Sequence, residues 1–427
     1  MARDRIITGI DIGSSKIATV IASYQNEGQI SVMGVSSIPS RGIKKGVVVD
    51  IDEAVDCIAT SLEAAERMAG YAVSSALVSV DGNHISSQNS HGVVAVHDHD
   101  GEIDHEDVAR VTDAARAISL PSSREIIHVL PRGFIVDSQD GVKDPIGMSG
   151  IRLEVETNII TGATSVIRNL TKCVQQVGLN IDELVFGGLA SAQAVLSDTE
   201  KELGCALVDI GGGTTKIVVF LGGSPSYVNV IPVGGQHITN DLAIGLRTHL
   251  ETAEKIKLKL SDNHELSYLE QQETETEEKD VRRNRRRVRE IDISDLHLEF
   301  SSVPETVLTD IINVRLEEIF KLVGAELKKS GYSKLLPSGI ILTGGTAETV
   351  GIEDVGRRTL QMPLRIGVPS GLTGLIDEIQ GTAYSTSVGL LLYGEHITPA
   401  QKIPALGNAN IGGFIDRARG LLKSFMP

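Results

Sequence analysis

Two stretches of this 427-residue chain set an aspartate, a glycine-containing turn and a lysine in an order that suits phosphate chemistry. The first is GIDIGSSKIATV, Gly9 to Val20. The second, LVDIGGGTTKIVVF, Leu207 to Phe220, begins 198 residues later and reads as the same pattern with two extra residues in its turn. Turns of Gly, Ser and Thr point backbone N–H groups and hydroxyls outward, forming a nest for phosphate oxygens. An aspartate closing the preceding strand would repel phosphate directly. It becomes useful when Mg2+ and its waters lie between, because Mg2+ takes oxygen ligands and keeps several waters. Lys16 can neutralise a terminal phosphate oxygen. One such turn is an ordinary hairpin; two in matched contexts predict a clamp closing on a triphosphate from both sides. A third glycine turn, GIILTGGTA (Gly339 to Ala347), follows a strand late in the chain. The chain contains neither GxxxxGK[ST] nor a GxGxxG opening a helix after a strand, so other nucleotide folds fit poorly.

The elements that must hold these turns are legible. Apolar, β-branched residues flank Asp11 to Ser15, predicting strand, turn, strand. Ala54, Val55, Ile58, Leu62, Ala65 and Met68 recur at helical spacing, acids open that helix and Gly70 closes it; a strand over 75–80 follows. Hairpin plus β-α-β predicts an α/β fold. Residues 84–162 differ. A strand over 91–96, a DHDGE turn, a helix over 104–118 with Val108, Val111, Ala114 and Ala115 inward, and divisions at Pro121, Pro131 and Pro145 predict a compact inserted subdomain. A helix over 305–330 precedes the third turn.

The length exceeds one comfortable core, so at least two domains are expected. With 40 Lys+Arg against 56 Asp+Glu, the net charge of −16 argues against general nucleic-acid binding. Three cysteines (Cys57, Cys173, Cys205) cannot make a disulfide framework, which predicts a reducing compartment. No apolar run approaches the roughly 20 residues needed to span a bilayer, and the start MARDRIITGIDIG lacks a signal-peptide apolar region. A cytoplasmic protein is the expectation.

Three further segments carry charge or amphipathy. Glu270 to Asp280 holds six acids and Arg282 to Arg289 six arginines. Such a sign-split block reads first as a solvated surface element able to pair with itself, with partner docking or phosphate contact as the alternative. His97-Asp98-His99-Asp100 with His105 reads as a polar hairpin turn rather than a metal site. After residue 397 the stretch 398–413, TPAQKIPALGNANIGG, reads as a flexible linker. In 414–427, Phe414, Ile415, Ala418, Leu421, Leu422, Phe425 and Met426 share one helical arc, while Arg417, Arg419 and Lys423 lie outside it. This basic amphipathic piece is too short to span a bilayer and suits its anionic interface.

The DIGSSK, VDIGGGTTK and ILTGGTA turns resemble the two phosphate motifs and the adenosine motif of the actin, heat-shock chaperone and sugar kinase superfamily. The resemblance closes further on the FtsA family of bacterial actin-like cell-division proteins. It is carried by REIIHVLPRGFIVDSQDGVKDPIGMSGIRLEVETNIITG (Arg124 to Gly162) and by GGQHITNDLA followed by TAEKIK. The resemblance implies an actin-like ATPase fold, two lobes around a nucleotide cleft, with ATP and Mg2+ as ligands. Asp11 and Asp209 would face the metal's waters. Gly13, Ser14, Ser15 and Lys16 would hold phosphate from one side and Gly211, Gly212, Gly213, Thr214 and Thr215 from the other. Glu254 and Lys257 would approach the ribose, and Gly344, Gly345 and Thr346 the adenosine.

It further implies a division of the chain. The first lobe would be 1–83, completed by 163–201 and 371–397, with an insert at 84–162. The second lobe core would be 202–237, completed by 303–370, with an outer subdomain at 238–302. The expected partners are the FtsZ C-terminal peptide at 238–302, further copies of the chain in filaments, other division proteins, and the cytoplasmic face of the cell membrane through 414–427. The connecting segment Phe186-Gly187-Gly188-Leu189-Ala190-Ser191 shows no water-positioning side chain, which implies at most a weak ATPase. A carbohydrate kinase of the same superfamily and an actin-like pilus-assembly scaffold are the alternatives.

Overall fold

A computed structural model describes residues 5–24, 29–97, 101–273, 290–293 and 302–395. The chain opens with strands β1 (Arg5–Ile12), β2 (Lys16–Tyr24) and β3 (Ile30–Pro39), then the small ladder of β4 (Ile43–Lys44) and β5 (Val47–Val48). Helix α1 (Ile51–Ala69) leads to β6 (Ser75–Val80). Asp50 caps α1 by accepting from Glu53 N at 3.1 Å, while Ala54, Cys57, Ile58, Leu62 and Ala65 form its buried stripe. Val55 is only half-buried and Met68, expected on the same face, is exposed, because the core ends before the last turn.

The next segment comprises β7 (Ser86–Ala95), α2 (His105–Arg116), β8 (Arg124–Val136), β9 (Gln139–Val142) and β10 (Arg152–Ala163). It owns a separate apolar cluster that includes Ile103, Val111, Phe134, Leu153 and Val155. Strand β7 starts five residues earlier than its alternation predicts. Its polar half, SSQNS, pairs residue by residue with β10 from Ser86↔Thr161 to Ser90↔Thr157, so the partner imposes the strand. On α2, Val111 and Ala115 are buried; Ala114, expected inward, is exposed.

Then come α3 (Thr164–Gln176), β11 (Asn180–Phe186), α4 (Gly187–Val195) and α5 (Asp198–Leu203). They are followed by β12 (Cys205–Ile210), β13 (Thr215–Leu221), β14 (Ser224–Ile231), α6 (Gly235–Leu246) and α7 (Leu250–Glu273). After β15 (Glu290–Asp292) and β16 (Ser302–Pro304), helix α8 (Glu305–Ser330) takes the bounds its periodicity predicts. Leu308, Ile312, Leu316, Ile319, Phe320, Val323 and Leu327 bury its inner face. Full burial of side chains of this size is worth about 1.5–3 kcal/mol each. The chain continues with β17 (Ile340–Thr343), α9 (Ile352–Leu360), β18 (Leu364–Ile366), β19 (Leu372–Gly374) and α10 (Ser385–Glu395).

Two sheets organise these elements. One runs β11-β6-β1-β2-β3-β19; the other runs β18-β17-β12-β13-β14 and continues through β7-β10-β8-β9. Their centres repeat each other. In the first, β1 is antiparallel to β2 and parallel to β6; in the second, β12 is antiparallel to β13 and parallel to β17. Each glycine turn therefore sits at the carboxyl end of a buried central strand, where α/β sheets place their ligands.

Candidate functional site

The two hairpins have the same loop length. Ile12 pairs with Ile17 and Ile210 with Thr215, and in both turns the first glycine N–H donates across the loop, Gly13 to Lys16 O at 3.0 Å and Gly211 to Thr214 O at 2.9 Å. The two extra residues expected in the second turn are therefore not there. What differs is the lysine. Asp11 faces Ala18 across its ladder, whereas Asp209 faces Lys216. Lys16 opens β2 where the turn ends, whereas Lys216 stands two positions further along its hairpin, on the same face, because side chains alternate with a period of two.

That shift buries Lys216 among acids. Its Nζ lies 3.0 Å from Asp209 Oδ2 and 3.1 Å from Asp81 Oδ2, and donates to Thr386 Oγ1 at 3.3 Å. Asp209 Oδ2 also accepts from Ser191 Oγ at 2.7 Å and Thr386 Oγ1 at 3.4 Å. Ser79 Oγ donates to Asp11 Oδ1 at 2.9 Å while accepting from Ile12 N at the same distance. Burial raises the Asp11 carboxyl despite Lys216. Burial likewise pushes Asp81 up to about 6, with Asp11 and Asp209 adding to the push and Lys216 opposing it. For Lys216, burial pulls downward, but Asp209, Asp81 and Asp11 outweigh it and hold the ammonium above its usual range. Burial brings Lys16 down to about 8, and its Nζ sits 3.1 Å over the Tyr384 ring, a cation–π contact.

The turns meet tip to tip. A Cβ on Gly212 would fall 1.7 Å from Ser15 Oγ, and Gln236 Nε2 donates to Ser14 O at 3.3 Å. The third turn locks onto the second: Thr346 Oγ1 donates to Gly211 O at 3.0 Å. Gly344 adopts a φ of 89°, and a Cβ there would lie 2.4 Å from Asp209 Oδ1. Glu254 and Lys257, on α7, pair at 2.7 Å, and both reach Thr239 of α6.

The three glycine turns, with Asp11, Lys16, Asp81, Asp209, Lys216 and Thr386, line a cleft of about 1730 Å³. Every cofactor residue expected from sequence borders it except Thr215, whose hydroxyl is buried and donates to Val233 O at 2.8 Å. Thr215 is the first residue of β13, paired with Ile210 on one side and Ile231 on the other, and its hydroxyl is taken up by a backbone carbonyl. Sequence reasoning passed over Asp81, Ser191, Lys216 and Thr386. Asp81, like Asp11 and Asp209, stands at the carboxyl end of a predicted strand, and the 198-residue offset places Lys216 opposite Ala18; both signals were readable.

Glycine turns that offer backbone N–H groups, with Lys16 and Lys216 beside them in one cleft, can hold a polyphosphate. A cell-division FtsA family model matches residues 206–389, and a model of the SHS2 domain inserted in FtsA matches residues 82–161. The chain is 41% identical to FtsA of Pseudomonas aeruginosa over 91% of this chain and 89% of that protein. Against FtsA of Escherichia coli strain K12 the identity is 35%, over 99% of both. The chain belongs to the FtsA family.

FtsA proteins are cell-division proteins by name, and the actin-like fold implied by sequence is the one observed. A solved PilM–PilN type IV pilus biogenesis complex superposes with a TM-score of 0.62 at 16% identity, covering 92% of this chain and 99% of that one. The ethanolamine utilization protein EutJ of Carboxydothermus hydrogenoformans gives 0.52 at 17% identity, covering 91% and 90%. Both likenesses concern the fold alone. Several expectations for this chain fall outside the described residues: 274–289 of the charged block, Asp98, His99 and Asp100 of the histidine turn, the linker 398–413 and the segment 414–427. Among the described residues no helix is long and apolar enough to cross a membrane.

Proposed function

We infer that this chain binds ATP in the cleft between its two glycine turns and links a division filament to lipid. The observation that carries the nucleotide reading is the register match of the turns: two loops of equal length, each beside a buried aspartate, facing each other at the carboxyl ends of repeated strands. The cleft exceeds the roughly 300–1,000 Å³ of small-molecule pockets, leaving room for a nucleotide with its waters. Among the described residues no three acidic, histidine or cysteine side chains group to ligate a metal directly, so the donor set suits a divalent ion held through its waters. Asp11 and Asp209 are carboxylates, and Asp81 Oδ1 beside them is buried without a hydrogen-bond partner among the described residues. Asp11 and Asp209 would hold the waters of Mg2+, which would supply charge neutralisation for the phosphates.

The remaining roles rest on the sequence resemblance. Residues 238–302 receive the FtsZ C-terminal peptide, further copies of the chain assemble into filaments that other division proteins join, and 414–427 docks on anionic lipid at the cytoplasmic face. The boundaries 1–83, 84–162, 163–201, 202–237, 238–302, 303–370 and 371–397 serve as working subdomains. Fluorescent ATP titration tests the cleft; absence of saturable binding rejects it. Co-sedimentation with anionic vesicles and an FtsZ tail peptide tests the tether. Removing 414–427 should release the protein from vesicles without weakening the peptide interaction.

A further inference from the structure

We propose that Lys216 serves as a resident cation of the phosphate site, so that nucleotide binding in this chain depends only weakly on Mg2+. The inference rests on the nucleotide reading above and adds to it the source of the site's positive charge. Three aspartates, Asp11, Asp81 and Asp209, border the cleft with two lysines, Lys16 and Lys216. A divalent ion in such a place contributes mainly charge: it lets anionic phosphates approach anionic carboxylates. Here two ammonium groups already bring as much positive charge as one divalent ion.

Their placement is suited to that task. Lys216 Nζ touches Asp209 at 3.0 Å and Asp81 at 3.1 Å, drawing on one carboxylate from each sheet. Asp209 Oδ2, expected to face a metal's waters, is already met by Lys216, Ser191 and Thr386. Lys16 enters from the opposite turn, with its ammonium over an aromatic ring rather than on a carboxylate. The first hairpin has Ala18 where the second has Lys216, so the strand pairing itself does not require a cation there. A merely structural lysine would be indifferent to whether metal accompanies the nucleotide.

The test is titration of the full chain with fluorescent ATP and ADP, in Mg2+ and in EDTA. The expected result is a loss of less than tenfold in affinity on metal removal. A wild-type loss above tenfold overturns the proposal. A second arm uses Lys216→Met combined with Asp81→Asn, which removes cation and acid together so that no unpaired buried charge is left on Asp81. This variant should lose at least ten times more affinity than wild type in EDTA and recover it in Mg2+. Equal metal dependence in variant and wild type also overturns the proposal. Absence of binding in both conditions by the folded wild-type chain rejects the nucleotide reading itself, and this inference with it.

Discussion

Lys216 Nζ on β13 lies 3.1 Å from Asp81 Oδ2 at the end of β6, joining the two sheets across 135 residues of sequence. Both side chains are buried, so neither charge has water to fall back on. Asp209 shares the ammonium at 3.0 Å, and the cluster holds more acid than base.

Removing the base alone should therefore be the worst change. Lys216→Met strands two buried carboxylates, a loss of about 3–5 kcal/mol for a broken buried pair. Asp81→Asn should be milder, since it relieves a like-charge cluster, and it should rescue part of the Lys216→Met defect. Urea unfolding of both single variants and the double variant measures the coupling. Additive effects would mean that the two groups do not share one interaction.

A pH response follows from His128. Its ring is buried, Nε2 accepts from Phe186 N at 3.0 Å, and burial lowers its pKa to about 4 from 6.5. The folded state thus holds the ring neutral while the unfolded chain protonates it between those values. Stability from this group is fully present above about 6.5 and is lost as pH falls toward 4, by up to about 3 kcal/mol. His128→Gln should flatten that part of the stability–pH curve. An unchanged slope in urea midpoints from pH 7 to 4.5 would remove His128 as its source.

Gly344→Ala should damage the cleft locally. The residue adopts a φ of 89° and its new Cβ would press on Asp209 Oδ1 and Ile210 O. A backbone held in this region costs about 1–3 kcal/mol for a side-chain-bearing residue, and the displaced Asp209 should weaken ATP binding at least tenfold. Thermal melting and nucleotide titration separate the two effects.

A large loss of stability is expected at Phe320, fully buried on α8 in one apolar cluster with residues of β12 and β17. Phe320→Ala should lower stability by about 3–5 kcal/mol through lost transfer energy and a cavity. Met148 at the edge of the insert's own cluster should cost much less on truncation, which an unfolding comparison of the two variants would show.

Local sequence alone determined the pieces that close their own hydrogen bonds. The first hairpin, the bounds of α8 and the helix ended by Gly70 were legible because their signals are periodic apolar residues and turn glycines within a few positions. The glycine turns and their aspartates were legible for the same reason, as was their repetition 198 residues apart. Tertiary structure decided what those turns face. The equal loop lengths, the two-residue slide of the lysine along its strand, the loss of Thr215 to a carbonyl and the meeting of Asp81, Asp209 and Lys216 depend on strand register and on packing between two sheets. Such pairings join residues far apart in the chain, and a period-two pattern fixes which face a side chain takes without fixing its partner.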